Sequence, residues 1–151
     1  MTSMELQPAL AIHARVAAPI SLGRSSAGER RIVPITDGVV TGRVAGRILP
    51  GGMDDQLVES DGLTRLIARY VIESADGALI HVENHGMRHG PAELMERLRR
   101  DEPVDPSSIY FRCAPRFHTI AEPHLWLTRA LFVGTGVRRP DHVELTIFEV
   151  R

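Results

Sequence analysis

Between residues 63 and 85 every second side chain is mainly apolar while the parity between them carries the charges, and that period of two leaves the chain few folds to choose from. Two alternating runs, Leu63 to Glu73 and Ala78 to His85, flank the link Ser74-Ala75-Asp76-Gly77. Alternation sends successive side chains to opposite faces of a strand, and a short Gly-containing link between two such runs makes a β-hairpin. One parity carries Leu66, Ala68, Tyr70 and Ile72 on the first run and Ile80, Val82 and Asn84 on the second. The other carries Arg65, Ile67, Arg69, Val71 and Glu73, with His81, Glu83 and His85. The first parity is read as the interior face; a slip of one residue would reverse the whole assignment.

The rest of the chain is cut equally short, with 13 Gly and 10 Pro among 151 residues. Leu10, Ile12, Ala14 and Val16 alternate with Ala11, His13, Arg15 and Ala17. Further strands are read at Arg31 to Ile35, Val39 to Leu49, Gln56 to Glu59, Ile109 to Ala114, Leu125 to Val133 and Val143 to Val150. Arg24 to Glu29 reads as a loop, and Asp37-Gly38, Pro50-Gly51-Gly52, Asp61-Gly62, Gly134-Thr135-Gly136 and Pro140-Asp141 as turns or breaks. The one convincing helix is Pro91 to Arg100: proline suits a first helical turn, Leu94, Met95 and Leu98 form a stripe, and arginines gather at the C-terminal end. About eight to ten strands and one helix predict an all-β fold, a single antiparallel barrel. Closure removes exposed edges, and a barrel of about eight strands holds its own side chains or one small ligand. Residues 1–9 read as an N-terminal extension and 10–151 as the barrel domain.

Composition narrows the partners. Lys plus Arg is 18 against 19 for Asp plus Glu, so no charge excess points to nucleic acid or an anionic membrane surface. Cys113 is the single cysteine, which excludes an internal disulfide and a four-cysteine zinc site and fits a reducing, cytoplasmic setting. Met1 to Leu10 lacks a basic region before an apolar run, and no stretch reaches the roughly 18 apolar residues of a membrane span. A homodimer is expected on the general prevalence of two-fold oligomers.

Chemistry-bearing residues are sparse. His81, Glu83 and His85 share a strand face and are a metal-type donor set. The face opposite them is the apolar one, so they read as a solvated outer wall, and neither metal nor cofactor is expected. Cys113, beside Phe111 and Ala114, reads as a small buried residue rather than a nucleophile. Gly-x-Ser-x-Gly, Walker and Rossmann signatures are absent. Tyr110 and Arg112 share a strand face: pointed inward they would clamp a carboxylate or an enolate, pointed outward the arginine would pair with an acid. Asp54 or Asp55 would serve as a base if desolvated, although aspartates near a turn more often bond their own backbone. Trp126 reads as core or barrel-mouth lining.

Several motifs recur together in one order: Leu49-Pro50-Gly51-Gly52-Met53-Asp54, Asp61-Gly62, Ala68-Arg69-Tyr70, Asp76-Gly77-Ala78-Leu79-Ile80, Asn84-His85-Gly86, Tyr110-Phe111-Arg112, Pro115-Arg116-Phe117 and Trp126-Leu127. From about Leu10 to Val150 this resembles the DUF3237 family, also called UPF0311. The resemblance implies a lipocalin-like antiparallel barrel with a central cavity and brings no assigned activity. Three residues depart from its pattern: Asp55 stands where an aromatic is expected, His118 where an acid is, and Thr128 where an asparagine is.

The resulting expectation is a barrel whose lumen binds a small, partly apolar organic molecule, carboxylates included, through Tyr70, Asn84, Tyr110, Arg112 and Trp126. The alternative is a metal-independent isomerase, cyclase or lyase, with Arg112 or Tyr110 stabilising an oxyanion and Asp54 as base.

Overall fold

A computed structural model describes residues 2–151. Ten strands appear in chain order: β1 (Leu6–Val16), β2 (Ile20–Ser25), β3 (Gly28–Gly42), β4 (Gly46–Ile48), β5 (Gly52–Val58), β6 (Thr64–Ser74), β7 (Leu79–His89), β8 (Tyr110–His118), β9 (Leu131–Arg138) and β10 (His142–Val150). The one α-helix, α1, spans Ala92–Arg99, with 3₁₀ turns at Pro106–Ser108 and Glu122–Thr128. No helix among the described residues is long and apolar enough to cross a membrane.

All pairings are antiparallel, and they close on themselves. From β1 the sheet runs through β10, β9, β8 and β7 to β6. Strands β4 and β5 then lie end to end between β6 and β3, and β3 pairs back onto β1. The result is an eight-strand barrel with β4 and β2 as extra strands, β2 pairing with β3 outside the ring.

The β6–β7 hairpin has the parity read from its alternation. Leu66, Ala68, Tyr70, Ile72, Ile80, Val82 and Asn84 are all buried. Strand β1 begins at Leu6, so residues 6–8 already pair with β10. Three local readings are corrected. Asp37-Gly38 is no turn but lies within the 15-residue β3. Gly38 sits where β1 crosses closely: a Cβ there would stand 2.4 Å from the His13 carbonyl oxygen. Gly134-Thr135-Gly136 lies inside β9, and the turn into β10 falls at 139–141. Leu125 to Thr128 is 3₁₀ turn rather than strand, because Pro123 near its start supplies a helical φ and no ladder donor. It places Leu127 in the core at 2% exposure.

The barrel is filled unevenly along its axis. Leu10, Ile12, Val40, Ile48, Ile72, Ile80, Phe117, Phe132 and Ile147 pack around one end with Leu127. Burying such side chains is the main drive to fold, worth roughly 1.5–3 kcal/mol each. The other end carries polar side chains on the same inward parity, among them Gln56, Arg88, Arg31 and Thr64. Ile80, fully buried, and Leu79, 56% exposed, test this division side by side. Ile80→Ala is expected to lose about 2–5 kcal/mol in urea unfolding and Leu79→Ala to stay within about 0.5 kcal/mol.

Candidate functional site

The polar half of the lumen assembles from three neighbouring strands. β5 pairs with β6 through Asp54↔Ala68, and β6 with β7 through Tyr70↔Val82 and Ala68↔Asn84. The inward parity therefore delivers Asp54, Tyr70, Asn84 and Arg88 to one small cavity. Ala14, Val16, Ile35, Leu66, Ala68, Phe111, Val143 and Leu145 complete its lining, and its volume is about 40 Å³. Gly52 is what admits Tyr70. It faces the tyrosine across β5–β6, and a Cβ at position 52 would lie 2.6 Å from the Tyr70 Cβ. The Pro50-Gly51-Gly52 turn, with φ of +103° at Gly51, then aims Asp54 inward.

Four polar atoms on this cavity have no hydrogen-bond partner: Asp54 Oδ1, Tyr70 OH, Asn84 Oδ1 and Arg88 Nε. The Asp54 residue is only half-buried as a whole, yet its Oδ1 is shielded from solvent. Its other oxygen accepts from Gln56 Nε2 at 2.8 Å. Buried polar groups are normally paired, because an unmet donor or acceptor costs about 1–3 kcal/mol. Four such groups around one void are therefore an arrangement that contacts with a bound molecule would relieve.

Electrostatics follow from the burial. Burial pushes the Asp54 carboxyl above the usual carboxylate range, against the opposing pull of the Gln56 hydrogen bond and of Arg88 and Arg138. Burial likewise drives the Tyr70 phenol up, helped by Cys113 and Asp54. It brings the Arg88 guanidinium down to about 10, with Asp54 opposing and Arg138 and Arg31 adding to the fall. Arg88 also lies over the Phe111 ring at 5.4 Å, and Arg138 is anchored to Asp101 at 3.1 Å.

The other sequence candidates fall elsewhere. Strand β8 turns Phe111, Cys113, Pro115 and Phe117 inward, so Tyr110 and Arg112 stand on the outer wall and do not line the cavity. Their inward clamp is thus corrected by strand parity: the wholly apolar face of β8 is the one buried. Tyr110 is 53% exposed, and Arg112 donates to the Phe111 carbonyl at 2.9 Å. Trp126 packs on the apolar end, edge to face with Phe132 at 5.8 Å and under the Arg43 guanidinium at 3.7 Å. Asp55 faces outward and takes two hydrogen bonds from Arg30. Glu83 is paired with Arg69 at 2.7 Å, between exposed His81 and His85. Cys113 is buried, and burial raises its thiol, the opposite of an activated nucleophile.

The sequence reading missed Arg88 and Gln56. Both continue an inward parity already in view, Arg88 two steps beyond Gly86 on β7 and Gln56 two beyond Asp54 on β5. Gly86 and Gly90 looked like the end of the strand, whereas β7 runs through to His89.

Fold and lumen together define a class: closed antiparallel barrels with an apolar end and a small polar cavity at the other. Within it, the chain belongs to the DUF3237 family, whose model, described as a protein of unknown function, matches residues 4–150. The UPF0311 protein blr7842 of Bradyrhizobium diazoefficiens is 45% identical over 139 residues, covering 92% of this chain and 91% of that protein. The crystal structure of the conserved protein of unknown function RPA1785 from Rhodopseudomonas palustris superposes with a TM-score of 0.94 at 41% identity, over 100% of this chain and 99% of that one. A structure from Acinetobacter baumannii, described as a beta-barrel like protein, gives 0.88 at 36% identity, over 100% and 98%. The three departures from the family pattern all lie away from the cavity. Asp55 is on the outer wall, His118 is exposed opposite His81, and Thr128 donates to the Leu125 carbonyl at 2.7 Å.

Two outcomes test the site as a place of unmet polarity. Tyr70→Phe removes an unpaired hydroxyl and is expected to raise unfolding stability by about 1 kcal/mol, where a paired buried tyrosine would lose as much. Asp54 gives the second. A carboxyl raised on folding holds more protons in the native state than in the unfolded one. Its contribution is therefore fully present below the unfolded value of about 3.9 and is lost as pH rises through the higher folded value. Stability measured against pH is expected to fall over that window in the wild type relative to Asp54→Asn.

Proposed function

We propose that this protein binds a small, partly apolar organic molecule in the polar half of its lumen, through Asp54, Tyr70, Asn84 and Arg88. The observation that carries the reading is the meeting of four unpartnered polar atoms on one apolar-walled cavity. Pockets for small molecules are mostly apolar with a few converging polar groups. Tyr70 OH and Arg88 Nε are donors without acceptors; Asp54 Oδ1 and Asn84 Oδ1 are acceptors without donors. The matching ligand head carries both: a carboxylic acid, or a hydroxyl next to a carbonyl. About 40 Å³ exceeds the roughly 10–15 Å³ that a single water needs, yet falls far short of a whole drug-sized ligand. The cavity thus receives a head group of a few atoms, and the ligand's apolar remainder lies toward the half-buried Val16 and Val143.

The position of Asp54 favours a second reading, acid–base chemistry on the bound molecule. Asp54 would be the proton acceptor, and Arg88 and Tyr70, rather than Arg112 and Tyr110, would face a developing oxyanion. Such an enzyme would lose turnover in Asp54→Asn while keeping its ligand.

Thermal unfolding with acetate, benzoate and 4-hydroxybenzoate, against benzyl alcohol as the uncharged control, tests the binding. The acids are expected to raise Tm, and calorimetry is expected to show about tenfold weaker binding by Tyr70→Phe, the worth of one hydrogen bond. The reading fails if no acid shifts the wild type and native mass spectrometry finds no small organic molecule retained by the purified protein.

A further inference from the structure

Outside the lumen, a second side-chain cluster sits across the join between the first and last barrel strands. The β1–β10 register sets His13 opposite Glu144 and Arg15 opposite His142. His13, His142 and Glu144 share the outward parity, since Ala14, Val143 and Leu145 beside them line the lumen. One ligating atom from each lies within 4.8 Å of the other two. His142 Nε2 is 3.0 Å from Glu144 Oε1, and the two imidazoles meet edge to face at 4.2 Å between centroids.

His142 is gripped at its other nitrogen as well, with Nδ1 2.7 Å from Asp141 Oδ1. A carboxylate at Nδ1 keeps the proton there and presents the Nε2 lone pair outward, as in carboxylate–histidine–metal arrangements. That nitrogen stands 3.0 Å from a Glu144 oxygen, a contact completed either by a proton on Nε2 or by a cation shared between the two atoms. We propose that His13, His142 and Glu144 form a surface site for a divalent transition cation of the zinc class, with Asp141 orienting His142 from behind. Two imidazoles and one carboxylate suit zinc and its neighbours rather than magnesium or calcium, which favour all-oxygen sets, and three protein ligands leave a further position to water. Arg139, 4.0 Å from Glu144, is the nearest competing cation, while Arg15 is paired with Asp37. A proton on Nε2 would also relieve the His142–Glu144 contact. The two occupants differ in His13: a proton needs only Glu144, whereas a metal recruits the second imidazole.

Because His13 stands on β1 and the other two on β10, an ion held by all three ties the first barrel strand to the last. Stability therefore reports on occupancy independently of any activity. The test uses the full chain, free of any affinity tag and stripped of metal by chelator. Zinc is titrated by calorimetry, cobalt serves as a visible-absorption reporter, and thermal unfolding is followed with and without zinc. One equivalent is expected to bind, and at about 100-fold excess over Kd the Tm is expected to rise by several degrees. His13→Ala, an exposed change that leaves the metal-free Tm in place, is expected to weaken binding by at least about tenfold, as is Glu144→Gln; His81→Ala changes nothing. No saturable binding by the wild type overturns the proposal. So does wild-type affinity in His13→Ala, which leaves a protonated His142–Glu144 pair or moves the cation to another set.

Discussion

A β-sheet cannot leave its edges open without cost, and here the last strand pays that debt by pairing with the first. Closure turns the inward side chains of all eight ring strands toward one shared lumen. What the lumen becomes is then a matter of which residues fall on the inward parity. At one end these are isoleucine, leucine, valine and phenylalanine, and the barrel is solid. At the other they include an aspartate, a tyrosine, an asparagine and an arginine, and a small void persists. The site arises where the apolar filling stops.

The central hairpin was legible as far as His85, because one parity of both strands was mainly apolar and the other carried the charges, and Asp76-Gly77 marked the turn between them. Barrel closure followed from the number of strands and the rarity of helix. Tyr70, Asn84 and Asp54 were legible as individual residues. Their convergence was not, since it depends on how β5 is set against β6, and that register is fixed by the close approach of Gly52 to Tyr70. Tyr110 and Arg112 misled because a tyrosine beside an arginine is chemically attractive, whereas the apolar sequence Phe111, Cys113, Pro115 and Phe117 on the other parity was the stronger signal. Arg88 was missed because a glycine inside a strand looks like an ending. The segment 125–128 misled through its Leu-Trp-Leu alternation, which is too short to outweigh a proline two residues earlier.

The two walls of one strand thus do different work. On β10, Val143 and Leu145 face the lumen while His142 and Glu144 face out. On β1, Ala14 faces in and His13 out. A single residue of slip between these strands would exchange the two sets, and the apolar lining would not survive it. The bulge at Pro8 to Leu10 absorbs one residue near the start of the pairing and so keeps the register beyond it.

Glu5 and Arg151 exchange two backbone hydrogen bonds, so the polypeptide leaves the ring beside the place where it joined it. The barrel thus has no topologically privileged starting strand: a short linker across that gap, with a new opening in the exposed Ala75 to Gly77 turn, would describe the same ring from a different origin. Such a circularly permuted chain would turn the β1–β10 seam into an ordinary hairpin and make the β6–β7 hairpin the new seam.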